Sequence, residues 1–257
     1  MTDQFILTPY FLDQPLSGLT NLAQPHVHIV EDELPEGTAQ QRMAVLYESL
    51  AGKVTKALAA DQRPVSIAGD CCSSLGVTAG LQRAGLDFSL IWFDAHGDFN
   101  TWETSPSGFL GGMPLAMLAG RGEQTVCNAL GIEPVAESSI ILCDGHDLDP
   151  LEARAVQASP LIHISDISRL GKFIPDGHLY VHMDMDIINP KEAPAQNYVA
   201  PGGPALQDFQ EAGALLHRTG RVAAVSVSTW NPDLDQDGET QTTCLAALAS
   251  LLGHSVF

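Results

Sequence analysis

Residues 89–100 read S-L-I-W-F-D-A-H-G-D-F-N. The apolar run Leu90-Ile91-Trp92-Phe93 has no polar alternation, which suits a strand buried on both faces of a parallel sheet. It stops at Asp94, and His96 and Asp98 follow at once. Residues two apart on extended backbone point the same way. Asp94 and His96 therefore converge at the carboxyl end of the strand, and Asp98 joins them from the turn. In open α/β sheets that edge is where ligands bind. Two carboxylates and an imidazole in one place are costly unless a positive charge sits among them. A divalent cation is the simplest candidate, because carboxylate oxygen and imidazole nitrogen both ligate first-row metals. On this stretch alone a plainer alternative stays open: Asp98 caps a helix and His96 makes an ordinary hydrogen bond.

A second acidic cluster has the same form. His182, Asp184 and Asp186 alternate with Met183 and Met185. On a strand the three polar groups share one face and the two thioethers take the other. A lone D-x-D is weak evidence, but two carboxylate clusters that each end a buried strand are stronger. Asp94, His96, Asp98, Asp184 and Asp186 are too many ligands for one small cation. They are enough for two cations that share bridging carboxylates, a kind of site that holds water as hydroxide at neutral pH.

The surrounding pattern alternates strand and helix. Strands are expected near 5–8, 26–30, 65–68, 89–93, 139–143, 161–164, 179–183 and 222–229, with Arg63-Pro64 as a break before the third. Helices are expected over 38–60 with Thr38 as cap, over about 73–84, over 114–119, from Pro150, from Pro204 to about 217, and over 239–252. This predicts a mostly parallel central sheet of about eight strands with helices on both faces. No linker or repeat divides the 257 residues, so one domain over 1–257 is expected. A formal charge of −19 repels phosphate backbones and excludes nucleic acid as a partner. No stretch is long and apolar enough for a membrane span, and no basic region precedes the first apolar run. The five cysteines are scattered, odd in number and outside any C-x-x-C frame, which fits a reducing cytoplasm.

The motifs together resemble the ureohydrolase family of arginase, agmatinase and formiminoglutamase. Its D-A-H-x-D is met by Asp94, His96 and Asp98. Its S-x-D-x-D-x-x-D-P is met in part by Asp184, Asp186 and Pro190. Its G-G-D-H-S is echoed by Ala68-Gly69-Asp70-Cys71-Cys72. The likeness runs from about residue 65 to the end. It implies a three-layer arginase-like domain and two manganese ions bridged by Asp94 and Asp184. One ion would add Asp98 and Cys71, and the other His96 and Asp186. A metal-bridging hydroxide would attack a guanidinium carbon, so Asp98 and His96 are the catalytic candidates, with Asp98 orienting the hydroxide and relaying its proton. Asn100 and Ser107 sit where relatives hold the substrate's carboxylate, and Asp149 where they hold its α-amino group. The implied partner is a small cationic or polar amino acid, and the implied assembly is a homo-oligomer.

Four departures bear on the substrate. Cys71 stands where the family has a metal-binding His. Read as a ligand, its soft thiolate brings Zn²⁺ into consideration beside Mn²⁺; read otherwise, it is a small buried hydrophobe. The same change resembles the hydroxyarginine-hydrolase branch of the D-cycloserine pathway, which releases hydroxyurea and ornithine. Thr229 replaces a Glu that pairs with the guanidinium. Losing a charge-assisted pair weakens binding of a full cation, so hydroxyarginine is favoured over plain arginine. Gly111 replaces a His that passes protons in arginase. His182 and Asn189 replace a Ser and an Asp, and His182 is either an added group at the site or a core histidine. Cys72 is read as core, and Asp70 as orienting a neighbouring ligand. Two alternatives stand beside this reading: a formiminoglutamase-like hydrolase, and a non-catalytic member that binds metal or an amino acid. A binuclear phosphoesterase is weaker, for want of an Arg/Lys clamp.

Overall fold

In this computed structural model residues 2–24 and 26–256 are described; Met1 and Phe257, the ends of the expected 1–257 domain, and Pro25 lie outside them. The strands are β1 (Thr2–Thr8), β2 (Tyr10–Phe11), β3 (Gln14–Pro15), β4 (His28–Ile29) and β5 (Gln62–Ala68). They continue with β6 (Phe88–Asp94), β7 (Ile140–Asp144), β8 (Ile162–Ile164), β9 (His178–Asp184) and β10 (Val222–Ser228). The helices are α1 (Ala39–Ala59), α2 (Ser74–Arg83), α3 (Pro114–Leu118), α4 (Thr125–Leu130), α5 (Pro150–Ala158), α6 (Leu206–Arg218) and α7 (Glu239–Leu252). Strands β2 and β3 form a small antiparallel hairpin. The other eight make one sheet in the order β4-β1-β5-β10-β9-β6-β7-β8. Every pairing in it is parallel.

Side-chain alternation divides the core between the two faces. Leu90 and Trp92 of β6 pack with Met43, Leu46 and Leu50 of α1 and with Leu75 of α2. Ile91 and Phe93 turn the other way, to Phe209 and Leu216 of α6 and to Leu248 and Leu251 of α7. This is the period of two that a strand imposes, with helices covering both sides. The start of α1 is fixed as expected: Thr38 Oγ1 accepts from Gln41 N at 3.3 Å and Gln41 Oε1 accepts from Thr38 N at 2.9 Å, a reciprocal capping box. Among the described residues no helix is long and apolar enough to cross a membrane.

Three local expectations need correction. Pro64 does not break the chain; it lies inside β5, paired with Gln4. The β10 ladder joins β5 only from Val65 onward, so Pro64 sits where β5 is flanked by β1 alone, and there a missing N–H is tolerated. Pro204 precedes α6 by two residues instead of opening it. Strand β9 ends at Asp184, and Asp186 lies in a 3-10 turn, Met185–Ile187. Met183 and Met185 both enter the α6–α7 core, but Asp186 is delivered by the turn and not by strand alternation.

Candidate metal centre and its pocket

The strand order explains why residues far apart in sequence meet. β5, β10, β9 and β6 are neighbours in the centre of the sheet. They are in register near their carboxyl ends, with Ile67 opposite Val227, Ser228 opposite Asp184, and Phe93 opposite Met183. Cys71, Asp94, Asp184 and Thr229 therefore leave the sheet at one edge.

The same backbone device ends three of these strands. Asp94 Oδ1 accepts from His96 N at 2.7 Å, Asp184 Oδ1 from Asp186 N at 2.8 Å, and Asp70 Oδ1 from Cys72 N at 2.8 Å. An aspartate that bonds the amide two residues on turns the chain sharply. Each turn leaves one carboxylate oxygen for other use. Asp70 spends its second oxygen on Leu12 N at 2.6 Å, which ties the β2–β3 hairpin to the site.

Two groups of side chains are spaced to hold a cation. Cys71, Asp94 and Asp98 offer atoms within 4.8 Å of one another, and so do Asp94, His96 and Asp186. Asp94 belongs to both. It is fully buried, and Trp92 Nε1 donates to its Oδ2 at 3.0 Å. His96 Nδ1 lies 2.9 Å from Asp186 Oδ2 and 3.5 Å from Asp94 Oδ1. Burial alone would push the imidazole pKa down, but the two carboxylates outweigh it and raise it. Asp184 lies in neither group; its Oδ2 is 2.8 Å from Cys71 Sγ.

The charges of the cluster favour a cation pair. Burial, then the charges of Asp94 and Asp184, push the Asp98 carboxyl well above its usual range. Burial, then Asp186 and Asp94, do the same to Asp184. Asp186 is pushed up to about 6 by burial and by Asp94. Asp98 Oδ2 is buried with no hydrogen-bond partner, though buried polar atoms are nearly always satisfied. Crowded carboxylates with an orphaned oxygen are the donor set of a divalent-cation site, so the residues present fit the implied metal pair. Without ions the Cys71 thiol is held protonated, by burial first and then by Asp184, Asp98 and Asp94.

The expected amino-acid contacts line the same cavity, of about 460 Å³. Asn100 Nδ2 donates to Asp149 Oδ2 at 3.0 Å, and Asn100 Oδ1 accepts from Thr104 Oγ1 at 2.9 Å. Ser107 is on the wall beside Ser105. Thr229 also lines the cavity, and its hydroxyl donates to Asp184 Oδ1. No Arg or Lys is among the lining residues described, so a phosphate ester would find no clamp. His182 is not on the wall. It stacks on Trp92 with centroids 3.8 Å apart, and its Nδ1 is 2.7 Å from Ser226 Oγ. Burial pushes it down to about 3, so it is neutral there. Asn189 is also off the wall; its side chain accepts from Lys191 N. Cys72 is fully buried in the α1–α2 core.

Several contributors were not foreseen. Glu152 is 2% exposed. It accepts from Phe99 N at 2.9 Å and Asp149 N at 3.1 Å, and burial pushes it up to about 7. The D-P-L-E spacing from Asp149 was a capping-box signal for it. Phe11, Phe109 and Tyr198 line the cavity as well, and nothing in the local sequence marks them.

Comparison with known proteins gives the chain's family. Residues 16–253 match the model of the arginase family. An arginase of Bacillus subtilis is 31% identical over 223 residues, covering 81% of this chain and 75% of that one. An arginase of Brucella melitensis is 30% identical over 212 residues, covering 75% and 69%. A crystal structure of Bacillus subtilis arginase superposes over 100% of both chains with a TM-score of 0.87 at 24% identity, which speaks to the fold alone.

Proposed function

The chain belongs to the arginase family of binuclear-metal hydrolases, and from that premise we propose that it cleaves a C–N bond in a guanidino or N-hydroxyguanidino amino acid. Hydroxyarginine, giving hydroxyurea and ornithine, is the preferred substrate, ahead of plain arginine. The observation that carries this reading is at Thr229: a neutral hydroxyl, already engaged by Asp184, lines the cavity where a carboxylate would pair with a full guanidinium cation. A hydroxyguanidine is less basic and loses less by that exchange.

Cys71, Asp94 and Asp98 would hold one ion, Asp94, His96 and Asp186 the other, with Asp184 closing the set beside Cys71. Manganese suits the carboxylates; zinc is the alternative that Cys71 brings in. When bound, such a pair supplies a Lewis acid that makes water nucleophilic at neutral pH. The rest is the work of side chains. Asp98, whose Oδ2 has no protein donor, orients the attacking water and accepts its proton. The water oxygen bonds to the amidine carbon, the bond from that carbon to the chain nitrogen breaks, and the proton passes to the departing amine. Asp149, steadied by one Nδ2–H of Asn100, takes the α-ammonium group, and Asn100 and Ser107 take the carboxylate. Trp92 fixes Asp94 from behind.

The test is an assay of the manganese-loaded protein against arginine, hydroxyarginine, agmatine, guanidinobutyrate and formiminoglutamate. A higher kcat/KM for hydroxyarginine than for arginine is expected. Faster turnover of arginine would sink the preference. Preference for formiminoglutamate would select the formiminoglutamase-like alternative, and no turnover on any of them would remove the reading.

A further inference from the structure

Three aromatic rings reach the cavity from three separate segments. Phe11 comes from β2, Phe109 from the loop after β6, and Tyr198 from the segment after β9. Phe11 and Phe109 stack with ring centroids 6.3 Å apart and planes at 14°. Phe109 and Tyr198 lie 4.8 Å apart at 39°. None of the three is buried, and Tyr198 is half-exposed. They form a continuous aromatic wall on a cavity whose other lining includes seven carboxylates.

The Phe109 ring takes the space beside Gly111. A Cβ placed on Gly111 would lie 2.4 Å from Phe109 Cε1 and 2.5 Å from Cζ. No side chain fits at 111 while the ring is there, and Phe11 and Tyr198 flank the ring. The bare glycine and the phenyl ring are one feature: apolar π surface fills the space that a polar group at 111 would take.

We infer that Phe11, Phe109 and Tyr198 are specificity-determining and receive the flat, delocalised part of the substrate against their faces, in place of an ion pair at position 229. This rests on the amidine-hydrolase reading above. A flat delocalised cation, or its weakly basic hydroxylated form, gains from an aromatic face. A compact tetrahedral ammonium is more strongly hydrated and gains less. The wall therefore selects planar amidine-type units over simple amines, without any charged partner in the wall itself.

The test uses calorimetric titration of the manganese-loaded full chain with benzamidinium, and with its tetrahedral analogue benzylammonium, which keeps the phenyl ring but carries a compact ammonium. Benzamidinium is expected to bind the wild type more tightly than the analogue. Phe109→Leu keeps apolar volume but removes the ring, and should weaken benzamidinium about tenfold, while Phe109→Tyr stays within about threefold. Equal binding of the two probes, or a Phe109→Leu affinity within about threefold of wild type, would overturn the inference. Neither result depends on turnover. A chain that hydrolyses none of the five amidine substrates but still shows the Phe109 effect would lose the reaction and keep the wall.

Discussion

Cys71 Sγ lies 2.8 Å from Asp184 Oδ2, so the turn after β5 and the last residue of β9 meet through one sulfur–oxygen contact. Ser228 Oγ is 3.0 Å from the same sulfur. A protonated thiol is the natural donor to the carboxylate. It occupies Asp184 in the way a cation ligated by both groups would. The contact thus holds two candidate ligands together before any ion arrives.

The first prediction concerns that sulfur. Imidazole suits manganese better than thiolate does. Cys71→His should raise the manganese retained per chain after dialysis. Metal content equal to wild type would make Cys71 a packing residue and leave Asp94 and Asp98 to hold the first ion alone.

Cation binding should also show in stability. The floor carboxylates repel one another and Asp98 has an orphaned oxygen. A ligand that binds only the folded chain stabilises it by about 2.7 kcal/mol at a hundred times its Kd. Manganese should therefore raise the unfolding temperature, and a chelator should reverse the rise. An unfolding curve indifferent to both would argue against a preformed cation site.

Thr229 offers a gain-of-function test. Its φ is 68°, a region costly for a β-branched residue. Thr229→Glu removes the branch and places a carboxylate where a guanidinium pair could form. The kcat/KM ratio of arginine to hydroxyarginine should rise by about tenfold, the size of one charge-assisted bond gained. An unchanged ratio would show that residue 229 does not meet the amidine group.

Much of this was legible in sequence because the chemistry sits at strand ends. Asp94 and Asp184 each terminate an apolar run, and a buried parallel strand exposes its ligands only there. The spacing of Met43, Leu46, Tyr47 and Leu50 carried α1 in the same way. What could not be read depends on packing between segments. Asp186 belongs to a turn that is closed by the bond from its amide to Asp184 and by the 3-10 bond from Ile188 N to Met185 O, neither of which alternation reveals. Pro64 entered β5 because β1 alone flanks it there. His182 shares the alternation of the ligands, yet its ring is taken up by Trp92 and Ser226. The aromatic wall has no local signature, because its rings are brought together by loops.

The two ends of the described chain are joined by a charge cluster that should respond to pH. Asp3 accepts from Arg63 at 2.6 Å and 3.0 Å, and lies 2.6 Å from His254 Nε2. His254 Nδ1 lies 2.9 Å from Ser255 O. Both partners are acceptors, so the ring needs both protons. The carbonyl of Ser255 and then the Asp3 carboxylate raise its pKa above 6.5. A raised folded value means stabilisation that is complete below the unfolded pKa and lost as pH climbs through the folded one. His254→Gln should therefore cost stability at about pH 5.5 and little at about pH 9 in urea unfolding. A cost that is the same at both would show that the ring's charge is immaterial.

Gly97 sits in the middle of the D-A-H-G-D motif, and its lack of a side chain is a condition for the site. A Cβ there would lie 2.6 Å from Glu152 Oε1, 2.7 Å from Glu152 Cδ and 2.7 Å from Leu148 Cδ2. Glu152 cannot retreat freely, since it holds Phe99 N and Asp149 N. Gly97→Ala must therefore move either the Glu152 carboxylate or the turn itself. Moving Glu152 unpairs the buried Phe99 amide and the part-buried Asp149 amide; moving the turn shifts His96 and Asp98, which flank it in sequence. The expected cost is about 1–3 kcal/mol in urea unfolding, as for other overpacked sites, together with less manganese bound per chain. Loss of stability with full metal content would place the adjustment at Glu152 and leave the turn rigid. A variant with wild-type stability and wild-type metal content would show that the close approach of Glu152 does not constrain the motif.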